Sequence, residues 1–501
     1  DGDTAIVGMR GFDITFDDGA VLVLERSGAQ WRLVQEITLM DSDGAFIEPR
    51  LESDLQNIGL AGDDLTTSGW QFGHDVAIHG DLMAVGAPYA HVPESPGQNP
   101  HEEAGLVLIF NRSSGEWRYE SLLTRDNTNT SEEPADFDYF GYAVSIFNNL
   151  IAIGAPNIEP AGGENNGHVY LFKRSSPSRW NHIETLYPNT AAYWWDCGHF
   201  GWSVDIDGTS VVVGQPGSNS ISSCPPTLPY HSGQGRAWVY ESSDGLDWTH
   251  ETMLFVEFPP LDHPWADPDI RPSTGAQYGW SVAISPCHVA VGAPGGDSNF
   301  ATEEGATYLW THLGLGNWNF MTIDDYFASP IGLPGDQWGH AVSVNDHLLA
   351  IGGWRCDNAY LDGGAAEIWQ ISCDCDRNDV PDNVDITKDP SLDCDDSGFI
   401  DSCEIDWDPS LDCGGQEGGA APGEPDGVLD TCQISSPGSL EWSTALGGNG
   451  HRYDVVEGLV TWTDAAVLAN TMGAGADLAS LTTWEEAAFV AAYLEWDIDS
   501  N

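Results

Sequence analysis

The stretch FGYAVSIFNNLIAIGAP, Phe140–Pro156, decides the fold because its framework occurs five times in the chain. Each copy begins with an aromatic residue and a glycine, and a second glycine, from a Gly-Ala-Pro motif or its variant, follows 13 residues after the first. The glycine pairs are Gly73 and Gly86, Gly141 and Gly154, Gly201 and Gly214, Gly279 and Gly292, and Gly339 and Gly352. The spacing between copies, from 60 residues (Phe140 to Phe200) to 78 (Phe200 to Tyr278), is typical of propeller blades.

Each unit also predicts two hairpins. Tight-turn pairs such as His79-Gly80 and Asp207-Gly208 stand between two short apolar segments, which predicts strand, turn and strand. A second apolar segment, a polar turn and a tryptophan follow, as in GHVYLFKRSSPSRW (167–180). The constant spacing fits this interpretation, because one lost residue would turn a whole strand face inside out. Four antiparallel strands per unit predict a mainly β fold of propeller blades.

These units resemble FG-GAP repeats, the blades of the integrin α-subunit propeller and of many secreted bacterial proteins. The resemblance covers residues 1–371 and implies six visible blades, or seven if a whole blade is absent. A sixth motif glycine, Gly8, lacks its upstream strand, and the last unit ends without its tryptophan strand. We expect the missing N-terminal sequence to supply both strands, since the chain reads as a fragment or a processed product. Integrin-type blades often carry a calcium loop, but the short link IHGDL (78–82) predicts none here.

Composition narrows the classes of partner. The chain of 501 residues has 16 Lys and Arg against 78 Asp and Glu, a net charge of −62. Such a surface repels nucleic acid and attracts cations, or it serves solubility alone. The sequence contains no run of about 18 apolar residues and therefore predicts no membrane span. Ten cysteines indicate an oxidising compartment, so we expect a secreted or cell-surface protein.

Strand direction places the tight turns on one face of the propeller and all long loops on the other, which we call the long-loop face. Such loops on a rigid scaffold usually carry binding sites, although insertions are also simply tolerated there. An aromatic or imidazole ring follows each FG glycine, and these rings are candidate sugar-stacking residues. They are His74, Tyr142, Trp202, Trp280 and His340. The alternative is that they pack between blades.

The same topology predicts the state of the propeller cysteines. Cys197, Cys224 and Cys356 fall on the long-loop face, whereas Cys287 lies beside a hairpin turn on the opposite face. We predict a disulfide between Cys197 and Cys224 and an unpaired Cys287.

Residues 372–436 predict calcium binding. Two 12-residue segments, 374–385 and 393–404, place oxygen ligands at positions 1, 3, 5, 9 and 12 of a calcium loop, with a backbone carbonyl at position 7. The ligands are Asp374, Asp376, Asn378, Val380, Asp382 and Asp385, then Asp393, Asp395, Ser397, Phe399, Asp401 and Glu404; a weaker third loop keeps Asp426 and Asp430. Pro390 and Pro409 predict that no helix leaves these loops. The segment resembles thrombospondin type 3-like calcium repeats, which implies a Ca²⁺-stiffened spacer; the alternative is a flexible acidic linker.

Residues 437–501 resemble the first half of a C-type lectin-like domain. The resemblance rests on a strand leading to TWTDA (461–465), then DLASLTT (477–483) and EEAAFV (485–490). Thr482 and Glu485 predict a helix capping box. The part of that family that carries calcium and sugar ligands lies beyond Asn501, so no sugar site is transferred.

No catalytic motif occurs: the sequence has no HExxH, GxSxG or Walker loop. We expect a non-catalytic adhesion or binding protein with an extracellular protein or polysaccharide as partner. Two alternatives stay open. The propeller accompanies an extracellular hydrolase whose catalytic part is missing, or the protein is a structural component of a cell envelope.

Overall fold

A computed structural model describes the protein over part of its chain. The described residues are 1–11, 19–40, 46, 48–60, 69–93, 100–125, 135–158, 167–187, 198–217, 235–242, 248, 250–254, 275–295, 305–312, 318–319, 326–328, 335–345, 347–356, 363–371, 382–389, 392–393, 400–402, 440–441 and 452–453. The chain divides into two compact units, residues 1–388 with 406–408, and residues 389–405 with 409–501.

The first unit is built from six successive antiparallel sheets, which confirms the mainly β fold. The first sheet contains β1 (Thr4–Met9), β2 (Ala20–Ser27) and β3 (Gln30–Ile37). The second contains β4 (Val76–His79), β5 (Leu82–Ala87), β8 (Leu106–Ser113) and β9 (Glu116–Leu123), with the small hairpin β6 (Val92–Pro93) and β7 (Pro100–His101) beside it in sequence. The third contains β10 (Ala143–Phe147), β11 (Leu150–Ala155), β12 (His168–Ser176) and β13 (Arg179–Leu186).

The later sheets repeat this order. The fourth contains β14 (Ser203–Asp207), β15 (Ser210–Gln215), β16 (Arg236–Glu241) and β17 (His250–Leu254). The fifth contains β18 (Ser281–Ile284), β19 (His288–Ala293), β20 (Ala306–His312), β21 (Trp318–Asn319) and β22 (Tyr326–Ala328), and the sixth contains β23 (Trp338–Val344), β24 (Leu348–Gly353) and β25 (Ala365–Gln370). Helix α1 (Pro49–Asn57) lies between the first and second sheets in sequence and contacts β9.

Registers within the sheets confirm the predicted hairpins. In the third sheet Phe147 pairs with Leu150 across a two-residue turn, and Ala143 pairs with Gly154 at the other end. In the second to sixth sheets the first strands contact one another in turn, from β4 through β10, β14 and β18 to β23; β1 contains Gly8, corresponds to their second strands, and contacts β4. This is the arrangement of propeller blades, with the FG strands of the second to sixth sheets innermost. The tight turns therefore share one face, and the long-loop face lies opposite.

A recurrent joint between neighbouring sheets explains the fixed glycine spacing. A Cβ built at Gly154 would lie 2.1 Å from the carbonyl oxygen of Gly201, the FG glycine of the next sheet. No side chain fits in that distance, so the position requires glycine. The same contact joins Gly8 to Gly73 (2.2 Å), and Gly86 to Gly141, Gly214 to Gly279, and Gly292 to Gly339 (each 2.0 Å). The glycines of the motif thus allow the close backbone contact that joins one blade to the next.

The FG aromatic residues form the core between sheets. Phe72, Phe140, Phe200, Tyr278 and Trp338 are all buried. Polar contacts add to this packing, and the scarce arginines contribute to them. Arg174 of the third sheet donates two hydrogen bonds to the Glu120 carboxylate of the second, with Nε at 3.1 Å and Nη2 at 2.5 Å. Such bidentate Arg–carboxylate pairs combine opposite charges with two hydrogen bonds and so fix the relative orientation of the two side chains.

The two end sheets expose apolar surface that the inner sheets bury. Among the described residues, eight of the ten exposed large hydrophobic side chains lie on or beside the first and sixth sheets. They are Val7, Trp31, Leu33 and Val34, and Leu348, Trp354, Ile368 and Trp369. Among the described residues, each of these two end sheets contains three strands, whereas each inner sheet contains at least four.

Two sequence expectations are wrong. Cys287, which is buried, takes part in a disulfide, whereas the sequence predicted it to be unpaired because it lies on the face opposite the other propeller cysteines. A short helix, α2 (Asp382–Lys388), begins inside the first predicted calcium loop, where none was expected. Pro390 does not prevent it, because a proline excludes helix at its own and the preceding residue but not further upstream. In the second unit, β26 (Leu440–Glu441) pairs with β27 (Arg452–Tyr453).

Candidate functional site

The five predicted ring residues form a continuous aromatic annulus at the long-loop end of the channel. Ring centroids lie 4.5 Å apart between His74 and Tyr142, 4.7 Å between Tyr142 and Trp202, 4.9 Å between Trp202 and Trp280, and 5.5 Å between Trp280 and His340. Neighbouring planes are tilted by 45 to 50°. All five side chains stay partly exposed. They therefore contact their neighbours as tilted pairs and still present surface to a ligand.

The backbone before each ring residue sets its position. The residue ahead of the FG aromatic has a positive φ, as at Tyr139 (57°) and His199 (54°). A turn follows in which the N–H of the ring residue donates back to that carbonyl: Tyr142 to Tyr139 at 3.0 Å, and Trp202 to His199 at 3.1 Å. Trp280 makes the same bond to Gln277 at 3.0 Å, so the turn positions the rings of three successive sheets in the same way.

Two residues that sequence reasoning missed extend the annulus. Trp354 continues the series, with its ring centroid 5.7 Å from that of His340, and Arg10 Nη1 lies 3.5 Å from Nε2 of His74. Arg10 and Trp354 stand in the first and sixth units at the place that proline holds in Gly-Ala-Pro. The replacement of proline at these two positions is visible in the sequence. It indicates a part of the annulus only once the position is known to face the channel mouth.

The imidazole of His74 is neutral at physiological pH. Its Nδ1 donates to the carbonyl oxygen of Tyr142 at 3.1 Å, and its Nε2 accepts from Arg10, since a carbonyl only accepts and a guanidinium only donates. Burial, with the positive charge of Arg10, lowers the pKa of His74 to about 4. Burial also lowers the pKa of His340. Burial thus favours the uncharged imidazole at both histidines of the annulus.

Below the annulus, two carboxylates on innermost strands hold neighbouring blades together. Asp75 accepts hydrogen bonds from the backbone N–H of Val76 at 3.0 Å and of Val144, in the next sheet, at 2.7 Å. Asp205 accepts from Ser145 Oγ of the preceding sheet at 2.8 Å and from the N–H of Ile284 of the following sheet at 2.9 Å. These carboxylates satisfy N–H groups on strand edges that face the channel.

Replacing Asp75 with asparagine is expected to change how stability depends on pH. Burial raises the pKa of the Asp75 carboxyl from 3.8 to about 6, although the N–H groups of Val144 and Val76 lower it. Between these two values the folded chain holds a proton that the unfolded chain has released, so the contribution of Asp75 to stability is lost as pH rises through 6. Relative to Asp75→Asn, the wild type should lose up to about 2 kcal/mol of unfolding free energy between pH 4 and 7. Urea unfolding of both chains measures this, and parallel pH curves would contradict it.

The predicted calcium loops lie largely outside the described residues. Of their ligands, the structure describes Asp382 and Asp385 of the first loop and Asp393 and Asp401 of the second. Asp382 is buried, and the Asp385 carboxylate lies 3.0 Å from Lys388 Nζ. The others are outside the described part: Asp374, Asp376, Asn378, Val380, Asp395, Ser397, Phe399, Glu404, Asp426 and Asp430. Within the described part, no group of three or more His, Cys, Asp or Glu side chains is placed to hold a metal ion.

Two further predictions remain untested. The pair Cys197 and Cys224 lies outside the described residues, as do almost all residues of the lectin-like segment. Cys356 lies on the long-loop side as a buried thiol 3.7 Å from the carbonyl oxygen of Asp336. At least one acidic residue of the long-loop face makes a structural contact. The buried Asp138 accepts a hydrogen bond from Arg125 Nη1 at 2.5 Å.

Comparison with known proteins supports the repeat. Residues 128–172 match the family model of the FG-GAP repeat, and this segment contains the stretch Phe140–Pro156. The repeat indicates an integrin-like β-propeller with a general binding role. FG-GAP repeats occur in extracellular proteins. Among the described helices, none has the length and apolar character needed to cross a membrane.

The other comparisons add little. No curated protein matches the chain. Among solved structures, the chain is similar to a functionally unknown protein from Desulfotomaculum acetoxidans DSM 771, with a TM-score of 0.34 and 8% identity over 74% of this chain and 79% of that one.

Proposed function

We propose that the protein is a non-catalytic, secreted or cell-surface adhesion protein that binds an extracellular polysaccharide at the aromatic annulus. The observation that carries this proposal is the unbroken series of partly exposed rings, from His74 to His340, on the face that also bears the long loops. Aromatic faces stack on the apolar faces of sugar rings, and a rigid scaffold lowers the entropy cost of binding.

Charge favours a neutral sugar. The net charge of −62 repels polyanions, while burial favours the uncharged form of the two histidines in the annulus. Arg10 supplies one guanidinium at the rim, where its N–H groups are available to donate to sugar hydroxyls. A neutral polysaccharide therefore fits the annulus better than an acidic one.

The remaining segments support the same role. Residues 372–436 act as a spacer stiffened by Ca²⁺ through the two predicted loops, and residues 437–501 supply a lectin-like module as a second contact. Oxygen-rich loops without a large apolar core depend on the ion for rigidity, because calcium binding to the folded form alone stabilises it.

Binding to immobilised neutral polysaccharides (β-glucan, mannan and galactan) tests the proposal, with polygalacturonate as the charged comparison and the series repeated in calcium and in EDTA. Saturable binding to a neutral polymer is expected. Trp202→Ala and Trp280→Ala should each weaken it about fivefold or more, since stacking of a ring on an indole contributes about 1–3 kcal/mol. Trp31→Ala is the matched control, because Trp31 is exposed on the outer strand of the first sheet.

The outcomes separate the alternatives. Equal binding by wild type and Trp280→Ala would place the site away from the annulus. Absence of binding to every polymer would remove the adhesion role and favour a structural envelope protein. Release of reducing sugar during incubation would contradict the non-catalytic role.

A further inference from the structure

Two half-buried tyrosines join the aromatic annulus at the joint between the second and third sheets. The ring centroid of Tyr89 lies 6.1 Å from that of His74, and the ring centroid of Tyr139 lies 6.5 Å from that of Tyr142. The two tyrosines also contact each other, with centroids 5.1 Å apart and planes tilted by 49°. Since His74 and Tyr142 are in contact as well, the four rings form one closed cluster that shares two members with the annulus.

The repeat does not account for these two tyrosines. Tyr139 immediately precedes the FG aromatic residue, and the other sheets carry glutamine or histidine there: Gln71, His199, Gln277 and Gln337. All five residues at this place have a φ between 52 and 57°. Tyr89 stands three residues after the motif glycine, where the other sheets carry Asn157, Gly217, Gly295 and Arg355. The fold therefore accepts other side chains at both places and does not require the paired tyrosines.

Hydrogen bonds between two long loops hold the tyrosine cluster in place. The N–H of Tyr139 donates to the carbonyl oxygen of Glu103 at 3.2 Å, and the N–H of Phe140 donates to that of Ala104 at 3.0 Å. The Tyr139 hydroxyl also donates to the Glu103 carboxylate. Burial, the negative charge of Glu103 and this hydrogen bond raise the pKa of Tyr139 to about 12. A surface fixed in this way loses little conformational entropy when a ligand binds.

Charged groups of both signs act on the cluster. The guanidinium of Arg10 lies 3.5 Å from His74 Nε2. Burial and the negative charge of Glu103 raise the pKa of Tyr89, whereas Arg10 lowers it, so both charged groups act on this ring. A neutral sugar complements such a surface, because its hydroxyl groups accept from a guanidinium and donate to a carboxylate while its apolar face stacks on a ring.

We propose that Tyr89 and Tyr139 form a second sugar subsite beside the annulus, so that the ligand is a chain of linked neutral sugar units. This inference rests on the proposed binding of a polysaccharide at the annulus. Tyr142 connects the two subsites, since its ring contacts that of Trp202 at a centroid distance of 4.7 Å and that of Tyr139 on the other side. One sugar unit stacks in the annulus and a further unit of the same chain stacks on the tyrosines. Glu103 is a positioning residue, because it holds the Tyr139 ring through its hydroxyl.

Isothermal titration calorimetry of the full chain with gluco-, manno- and galacto-oligosaccharides of two and six units tests the proposal. In the series that binds, the wild type should bind the hexasaccharide at least about tenfold more tightly than the disaccharide. Tyr139→Gln should weaken hexasaccharide binding at least about fivefold and leave the disaccharide affinity unchanged. This variant should fold, because glutamine occupies the same place with the same backbone at Gln71. Tyr139→Phe keeps the ring and should bind within about twofold of the wild type, and Trp31→Ala is the control on an outer strand.

The outcomes distinguish failure of the subsite from failure of the proposed function. The subsite is overturned if Tyr139→Gln binds the hexasaccharide as tightly as the wild type while Trp280→Ala weakens both ligands, a result that leaves the annulus as the binding site. It is also overturned if Tyr139→Gln weakens both ligands equally, which is the effect of a structural role. Absence of binding to every oligosaccharide and polymer overturns the proposed function and the subsite together.

Discussion

Replacing Gly154 with alanine is expected to lower the unfolding free energy by about 3 kcal/mol. The new methyl group would stand 2.1 Å from the carbonyl oxygen of Gly201, and that atom belongs to the backbone of the next blade. Overpacking against backbone forces strands apart, and such changes commonly cost 1–3 kcal/mol or more.

Gly352→Ala is the matched control for this substitution. It changes the same motif position in the sixth sheet, where the space is open. Alanine should there be neutral or stabilising by up to about 1 kcal/mol, because the unfolded chain loses conformational freedom. Chemical unfolding of both variants gives the comparison. Equal destabilisation would mean that the glycines serve strand conformation and not the joint between blades.

Trp117→Ala should be the second large effect, with a loss of about 3–5 kcal/mol in unfolding free energy. The Trp117 side chain is 4% exposed on β9, and its backbone exchanges two hydrogen bonds with the Gln35 side chain of the neighbouring sheet, at 2.8 and 2.9 Å. Removing the indole leaves a cavity between the two sheets.

Trp31→Ala provides the contrast within the same protein. Trp31 follows the same hairpin in the first sheet but is 46% exposed, with the Arg26 guanidinium 5.9 Å from its ring. Its replacement should cost less than about 1 kcal/mol, since little packing is lost. Similar losses for the two tryptophans, measured by urea unfolding, would show that the first sheet is covered as the second one is.

The repeat predicted most of the fold because its signals are local. An FG glycine, a tight turn and a motif glycine at fixed spacing specify one hairpin, and the structure reproduces it from Gly73 to Gly352. The positions of the five ring residues also followed from the sequence. Their contact with one another did not, because it depends on the angle between blades, which no local pattern encodes.

Other features depended on contacts between residues far apart in sequence. In the sequence, Asp75 and Asp205 are single charged residues beside apolar ones, and nothing near them indicates a partner. Their hydrogen-bond partners Val144 and Ile284 belong to other blades. The disulfide of Cys287 depends likewise on a distant residue, so spacing alone gave the wrong result. The short helix α2 ends at Lys388, two residues before Pro390. The proline therefore does not indicate whether the residues ahead of it form a helix.

If the aromatic annulus binds the polysaccharide, hydroxyl-radical footprinting of the full chain should show protection of its rings. The protein is oxidised with and without the neutral polysaccharide that it binds, and modified residues are located by mass spectrometry. We expect Trp202, Trp280 and Tyr142 to be protected by the polysaccharide, while exposed Trp31 and Trp369 are modified equally in both samples. Unchanged modification of the annulus in a saturated complex would contradict it.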